Sequence, residues 1–419
     1  ITGVFFTGLV MIFFVVLIFP TVNKKPAIIT QIAPIGSDEF MQMFSEITDA
    51  PLENGETVTP IDNGTTFLPI LLDSLNTASS SIDFTTFPWA DGSFNNQVFN
   101  ALISAALRGV QVRLLLDAFG SHSLSKNYIQ KLQAAGGKVA EYHPFHILNP
   151  LQYDSRDHIR SIVIDGKLGF TGGMGITNEW FSEKPNDTFE DMMFEVKGTM
   201  AQSLQDSFAQ IWNETTGEII SGPNFYPKLS TNIKSTNKFV GITSIPSGDY
   251  EPVRDAFVLT ALSAKKKIYI AASYIIPDPG LLKVLEDKAK EGVDVRIVSP
   301  GPNTVAPILR AAWHLDYAPL LAAGVKLYEY QPSMIHTKFI VADDVWSLIG
   351  SANVDNRSEA INTENLLGVN DPTLANSLDT TFFDYLSRSK EITAKDWSQE
   401  YGFWSSLYSK IVLILNKQY

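Results

Sequence analysis

The first twenty residues, ITGVFFTGLVMIFFVVLIFP, carry no charge, and about twenty apolar residues in helix span the ~30 Å core of a bilayer. A secretory signal has a shorter apolar region that ends at a small-residue cleavage site, whereas this run ends at Pro20. The pattern predicts a transmembrane helix over 1–22. Lys24 and Lys25 follow it directly, which favours an inner-membrane anchor with a cytoplasmic catalytic part. Residues 23–60, rich in Pro, Thr, Asn and acidic side chains, read as a linker: a tether with an edge segment. Beyond it the periodicity switches between strand and helix. β-rich runs at 81–87 and 267–274 each precede a helical pattern, at 97–108 and 280–291. A buried-looking strand follows each helix, VQVRLLL or VDVRIVS, then another helix and a short strand ending in EYHP or EYQP. Strands alternating with helices predict an α/β fold with a mostly parallel sheet covered by helices on both faces.

The two patterns are copies of one another. LRGVQVRLLLD (107–117) matches KEGVDVRIVSP (290–300), AAGGKVAEYHP (134–144) matches AAGVKLYEYQP (322–332), and DHIRSIVIDG (157–166) matches IHTKFIVADD (335–344). The offsets are 183, 188 and 178 residues, in the same order, which argues for duplication. The halves run over 61–230 and 231–395. Over 396–419, Tyr401, Trp404, Tyr408, Ile411 and Leu415 fall at helical spacing. This amphipathic segment lies either in a bilayer interface or on the protein core.

Composition narrows the chemistry. The chain has 419 residues, 45% of them apolar, enough for a sizeable core. There is no cysteine, which removes disulfides, thiolate metal sites and cysteine nucleophiles. A net charge of −13 gives no general attraction to nucleic acid phosphates.

The chemistry-bearing segments are the third matched pair. Alternation along HTKFIVADD puts His336 and Lys338 side by side on one strand face, and His158 and Arg160 are placed alike. The second segment reads His336-x-Lys338-x4-Asp343, then Gly350-Ser351-x-Asn353, then DNRSEAINTE ending at Glu364. This resembles the HKD motif of the phospholipase D superfamily, and GSANVDNRS and NTE resemble its cardiolipin synthase branch. The likeness covers about residues 65–395. The first segment departs from the pattern: Arg160 stands where Lys is usual, and Gly173 and Gly175 stand where the second half has Ser351 and Asn353.

The chemistry fits a phosphodiester. A neutral imidazole can attack phosphorus while an imidazolium protonates the leaving oxygen. Lys338 and Arg160 can meet the charge that builds on the non-bridging oxygens. Ser351 and Asn353 can add neutral donors, and around Gly173 only backbone amides remain. The resemblance implies His158 as nucleophile and His336 as general acid. It also implies that Glu364 orients His336 and that Asp191, 33 residues after His158, orients His158. Asp165 and Asp343 close the two motifs in structural roles. Phe87, Trp89 and Tyr274, in loops at strand ends, either touch substrate or pack. His122, His143, His146 and His314 lack such a context and read as loop or polar-face residues.

These readings lead to a membrane-anchored phosphatidyltransferase or phospholipase that works through a phosphohistidine. The expected partners are a phospholipid substrate and the bilayer, with no nucleic acid, no metal and no cofactor; the oligomeric state stays open. Two alternatives remain at this point: a membrane-tethered nuclease of the same fold, and a non-catalytic lipid-binding relative, the latter motivated by Arg160 and Gly175.

Overall fold

In a computed structural model of the chain, the structure describes residues 31–145, 154–182, 188–229, 237–246 and 250–400. The expected transmembrane run, the C-terminal stripe and His146 lie outside the described residues. Among the described residues, no helix is long and apolar enough to cross a membrane.

Two sheets carry the duplication. The first orders its strands Thr59–Asp62, Met192–Lys197, Leu168–Gly172, Ser161–Ile164, Ser81–Thr86, Gln111–Asp117, Lys138–Tyr142. The second runs Leu52–Asn54, Lys238–Ser244, Glu364–Asn370, Trp346–Gly350, Lys338–Ala342, Lys267–Ala272, Asp294–Pro300, Lys326–Tyr330, Ser389–Ile392. From Met192–Lys197 and from Glu364–Asn370 onward, six strands repeat in the same order.

The expectation of mostly parallel sheets is corrected. Within these two sheets, among the described residues, only the strands joined by crossover helices run parallel: Ser81–Thr86 with Gln111–Asp117 and that with Lys138–Tyr142, and their counterparts in the second half. The strands around each HKD segment pair antiparallel. Part of the reason is local: the strand carrying each motif turns back after a few residues, and the tight turn makes the next strand its antiparallel neighbour. At these turns Asp165 and Gly166, and Asp343 and Asp344, take positive φ. Asp165 accepts from the amides of Ser79, Ser80 and Ser81, and Asp343 from those of Lys265, Lys266 and Lys267. Each aspartate thus ties the motif's turn to the start of the neighbouring strand, Ser81–Thr86 or Lys267–Ala272.

Alternating side chains send each sheet's two faces to different cores. Ile82, Phe84 and Leu114 pack outward on helices Asn63–Thr77 and Asn95–Leu107. Ile268, Ile297 and Ile340 pack outward on Pro252–Ser263 and Pro279–Lys290. The inner faces meet in a shared core in which Val163, Phe194, Phe339 and Val341 close around helices Gly198–Thr216 and Pro372–Ser387. The local signals for these helices are ordinary ones. Asp278 and Asp371 cap amides of Pro279–Lys290 and Pro372–Ser387, both of which begin with Pro, and Gly217 ends Gly198–Thr216 in the left-handed region.

Part of the segment expected as a linker is folded. Ser37 caps the helix Asp38–Ile47, which buries Phe40 and Phe44 against the Trp346 ring at 5.0 and 4.8 Å. Leu52–Asn54 then adds an edge strand to the second sheet. The chain's described start is therefore built into the second half before the first half begins.

Candidate active site

The motif strands of the two halves meet through paired cross-half bridges. Asp157 of the first half bridges Thr363 of the second, and Ile335 of the second bridges Glu190 of the first. His158 N donates to the Thr363 carbonyl at 3.2 Å, and His336 N to the Glu190 carbonyl at 2.7 Å. The two contacts are pseudo-twofold mates, each placing an imidazole beside the carboxylate one residue further along the opposite half.

The carboxylate pairing is accordingly the reverse of the expected one. His158 Nδ1 lies 2.6 Å from Glu364 Oε1, and His336 Nδ1 lies 2.9 Å from Asp191 Oδ2. Within its own sheet each carboxylate is separated from its own motif strand by a whole intervening strand, about 10 Å away. Only the opposite half can bring it within hydrogen-bond distance. Either carboxylate can fix its partner's tautomer and leave Nε2 for chemistry.

Arg160 and Lys338 occupy matching places. Arg160 Nη1 donates to the carbonyl of His158 at 2.6 Å, and Lys338 Nζ to that of His336 at 2.8 Å. Their exposures are 1% and 3%. Arg160 Nε and Nη2 are buried with no protein partner, an arrangement that suits an anion's oxygens. Lys338 also donates to Ser273 Oγ at 3.0 Å, and Ser273 donates to Asn353 Oδ1 at 2.6 Å.

Two expected substrate ligands have other duties. Ser351 Oγ donates to Glu364 Oε2 and is fully buried. Gly173 gives its amide to the Met192 carbonyl at 3.0 Å. A Cβ at Gly173 would lie 2.1 Å from Asp191 Oδ1, so this glycine makes room for the carboxylate. The donor that a serine would have supplied to Asp191 comes instead from Trp180 Nε1 at 2.6 Å. Ser358 Oγ gives Glu364 a further bond at 2.7 Å.

Burial governs the protonation states. It pushes His158 well down, aided by Arg160 and Lys338, and His336 down to about 3, aided by Lys338 and opposed by Asp191. Burial also lowers Lys338 to about 7 and Arg160 to about 10, and raises Glu364 to about 7. Burial thus favours the neutral form of each imidazole, and the anionic phosphate of a bound substrate would favour the protonated form. The His158–Glu364 pair can hold one proton near neutral pH.

A cavity of about 380 Å³ opens on this cluster, lined by His158, Asn353, Phe87, Tyr274, Arg156 and Arg357 among others. The Phe87 ring lies 5.2 Å from His158, and that of Tyr274 lies 6.0 Å from His336. Trp89 belongs to the core instead, 1% exposed and donating to Asn95 Oδ1. His314 pairs with Glu329 at 2.8 Å, His143 stacks on Tyr142, and His122 bonds the Phe119 carbonyl. Among the described residues, no three or more His, Asp or Glu side chains cluster as metal ligands would.

A family model described as "Cardiolipin synthase, PLD-like domain" matches residues 71–212 and 259–386. The chain belongs to this family. It is similar to "Cardiolipin synthase 2" of Bacillus anthracis, 33% identical over 341 residues, which are 80% of this chain and 66% of that protein. The "Major cardiolipin synthase ClsA" of Bacillus subtilis (strain 168) is 30% identical over 352 residues, 83% of this chain and 72% of that protein. The chain thus spans just under two thirds of the Bacillus anthracis relative's length. Among solved structures, phosphatidylserine synthase of Haemophilus influenzae Rd KW20 superposes with a TM-score of 0.68 at 14% identity, covering 91% of this chain and 99% of that one. Polyphosphate kinase from Porphyromonas gingivalis gives 0.55 at 10% identity, covering 95% and 58%. At these identities the likeness concerns the fold.

Sequence reading passed over Trp180, Ser273, Ser358, Arg156 and Arg357. Ser358 and Arg357 stand inside the DNRS motif, which is itself a signal. Nothing local marks Trp180 as a carboxylate donor, because Asp191 reaches it only through the fold.

Proposed function

We propose that the protein is a phosphatidyltransferase that joins two phosphatidylglycerols into cardiolipin and glycerol. The observation that carries this reading is the pair of crossed His–carboxylate units around a buried Arg and Lys, with a cavity opening at His158. The relatives named cardiolipin synthase support the choice of lipid. In the first step an imidazole Nε2 bonds phosphorus and the phosphorus–oxygen bond to the glycerol headgroup breaks. The leaving oxygen takes a proton from the other, protonated imidazole. Arg160 and Lys338 bind the non-bridging oxygens as their charge grows. In the second step a hydroxyl of another phosphatidylglycerol bonds phosphorus, gives its proton to the free imidazole, and the nitrogen–phosphorus bond breaks. Water in place of that hydroxyl yields phosphatidic acid as a side product.

A bilayer setting supports the same reading. Phe119, in the cavity lining, is 46% exposed, and Ile308, next to the lining Leu309, is 52% exposed, which suits a mouth facing lipid. The uncharged run at residues 1–20 would serve as the anchor. The test is to incubate the purified protein with phosphatidylglycerol vesicles, with and without added alcohol, and identify products by mass. Cardiolipin and free glycerol are expected. Phosphatidic acid alone would make the protein a phospholipase. Cleavage of single-stranded nucleic acid without lipid turnover would replace the lipid reading with the nuclease one.

A further inference from the structure

The duplicated machinery already supplies the reacting phosphate with two cations, Arg160 and Lys338, one from each half and in equivalent places. The cavity holds two more. Arg156 and Arg357 line it together with His158. Arg156 comes from the first half and lies with its guanidinium 4.4 Å from the centre of the Phe119 ring. Arg357 comes from the second half, and a brace to Asp154 at 3.2 Å and to Asn362 at 3.3 Å fixes its orientation.

These two arginines lie outside the repeated pattern. Two residues before His158 stands Arg156, but two before His336 stands Met334, which is buried. Six residues after Ser351 stands Arg357, but six after its counterpart Gly173 stands Glu179, and on that flank Phe189 stacks on His336 at 5.9 Å. One flank of the imidazole pair is therefore covered by apolar groups, and the other is open and cationic. If the extra charge served phosphoryl transfer itself, the duplication would place it on both flanks. A charge present on one flank alone points to a second anion on the substrate.

We propose that Arg156 and Arg357 form a second anion subsite, which takes the phosphodiester of the acceptor lipid while its glycerol hydroxyl reaches the reacting phosphorus. This rests on the phosphatidyl-transfer reading above and sharpens it: the acceptor is an alcohol that itself carries a phosphate. The donor lipid has only the reacting phosphate, so the first step needs Arg160 and Lys338 alone. The second step differs, because a glycerol bridge holds the acceptor's own phosphate at a short, fixed reach from the attacking oxygen. The cavity of about 380 Å³ is within the range of a ligand site. Asp154 and Asp355 also line it. Asp154 is engaged by Arg357, and Asp355 accepts from the Ser358 amide at 2.9 Å as the cap of its own helix.

The test compares two acceptors in one vessel. Full-length wild-type protein, Arg156→Gln and Arg156→Lys are given phosphatidylglycerol in phosphatidylcholine vesicles with ethanol present, and products are quantified by mass. Arg156→Gln should lower cardiolipin formation by about tenfold or more, the scale of one charge-assisted contact. Phosphatidylethanol and phosphatidic acid should stay within about twofold, since neither acceptor carries a phosphate. Arg156→Lys should restore part of the cardiolipin. Arg357→Lys, which keeps the charge but weakens the brace, should shift the product ratio the same way by a smaller factor. A parallel fall of all products in Arg156→Gln, or an unchanged ratio, overturns the subsite. A wild-type protein that turns over no phosphatidylglycerol overturns the transferase reading itself, and the subsite with it.

Discussion

The first and second halves solve one problem with different residues. The second half backs its carboxylate with serines: Ser351 and Ser358 both donate to Glu364. The first half puts Gly173 in the place of Ser351, brings Asp191 into the space that a side chain would fill, and supplies the donor from Trp180. A glycine that looks like decay in the sequence is thus part of a fully hydrogen-bonded arrangement. Arg160 for Lys is a substitution of the same kind, since both side chains fold onto the carbonyl of their own histidine. What is equivalent between the halves is the position of charge and of the imidazole. Residue identity can vary around that framework.

The comparison can be broken most severely at the histidines. Each imidazole serves the reaction of both halves, so His158→Ala or His336→Ala alone should lower turnover by roughly 10⁴-fold, and the double variant should lose little more. Independent effects that multiply would show two separate sites. Next come the cations. Arg160→Ala should cost about 10²-fold or more in rate, and Arg160→Lys should keep much of the activity; near-wild-type turnover in Arg160→Ala would leave the first half without a catalytic charge. The carboxylate supports then sharpen the contrast. Gly173→Ser makes the first half look like the second, yet its Cβ collides with Asp191, so a rate loss approaching about 10²-fold is expected from the displaced carboxylate. The reciprocal Ser351→Gly removes one donor from Glu364 and should cost only about tenfold.

The smallest expected effect is in the pH profile. Burial, aided by Arg160, pushes Lys338 down to about 7. The side chain is cationic below that value and neutral above it. Its stabilising charge is therefore lost as pH rises, and kcat/KM should fall by about tenfold per pH unit on the alkaline side. Lys338→Arg, whose guanidinium keeps its proton, should move that limb upward. An unmoved limb would assign it to another group.

The sequence by itself determined the duplication, the side-by-side histidine and cation of each motif, and the turn aspartates, although only Lys338 of those four lies within a strand and the others stand just ahead of one. The matched offsets, the period-two alternation and the Asp-Gly and Asp-Asp turns are local signals, and the structure keeps them: His158 with Arg160, His336 with Lys338, Asp165 and Asp343 at positive φ. The tertiary structure alone decided which strands are neighbours and which carboxylate serves which histidine. Alternation tells a strand's two faces apart but is silent on its partners, so motif strands that turn back after four or five residues were read as part of a parallel sheet. The family resemblance implies that Asp191 and Glu364 each serve the histidine of their own half. In the fold an intervening strand separates each from its own histidine, and the pseudo-twofold contact through Thr363 and Glu190 brings the other within reach. Likewise Trp180 and Gly173 gain their meaning only from where Asp191 lies. A hydrogen bond needs a distance of about 3 Å, and a distance between residues far apart in the chain is set by packing, not by spacing.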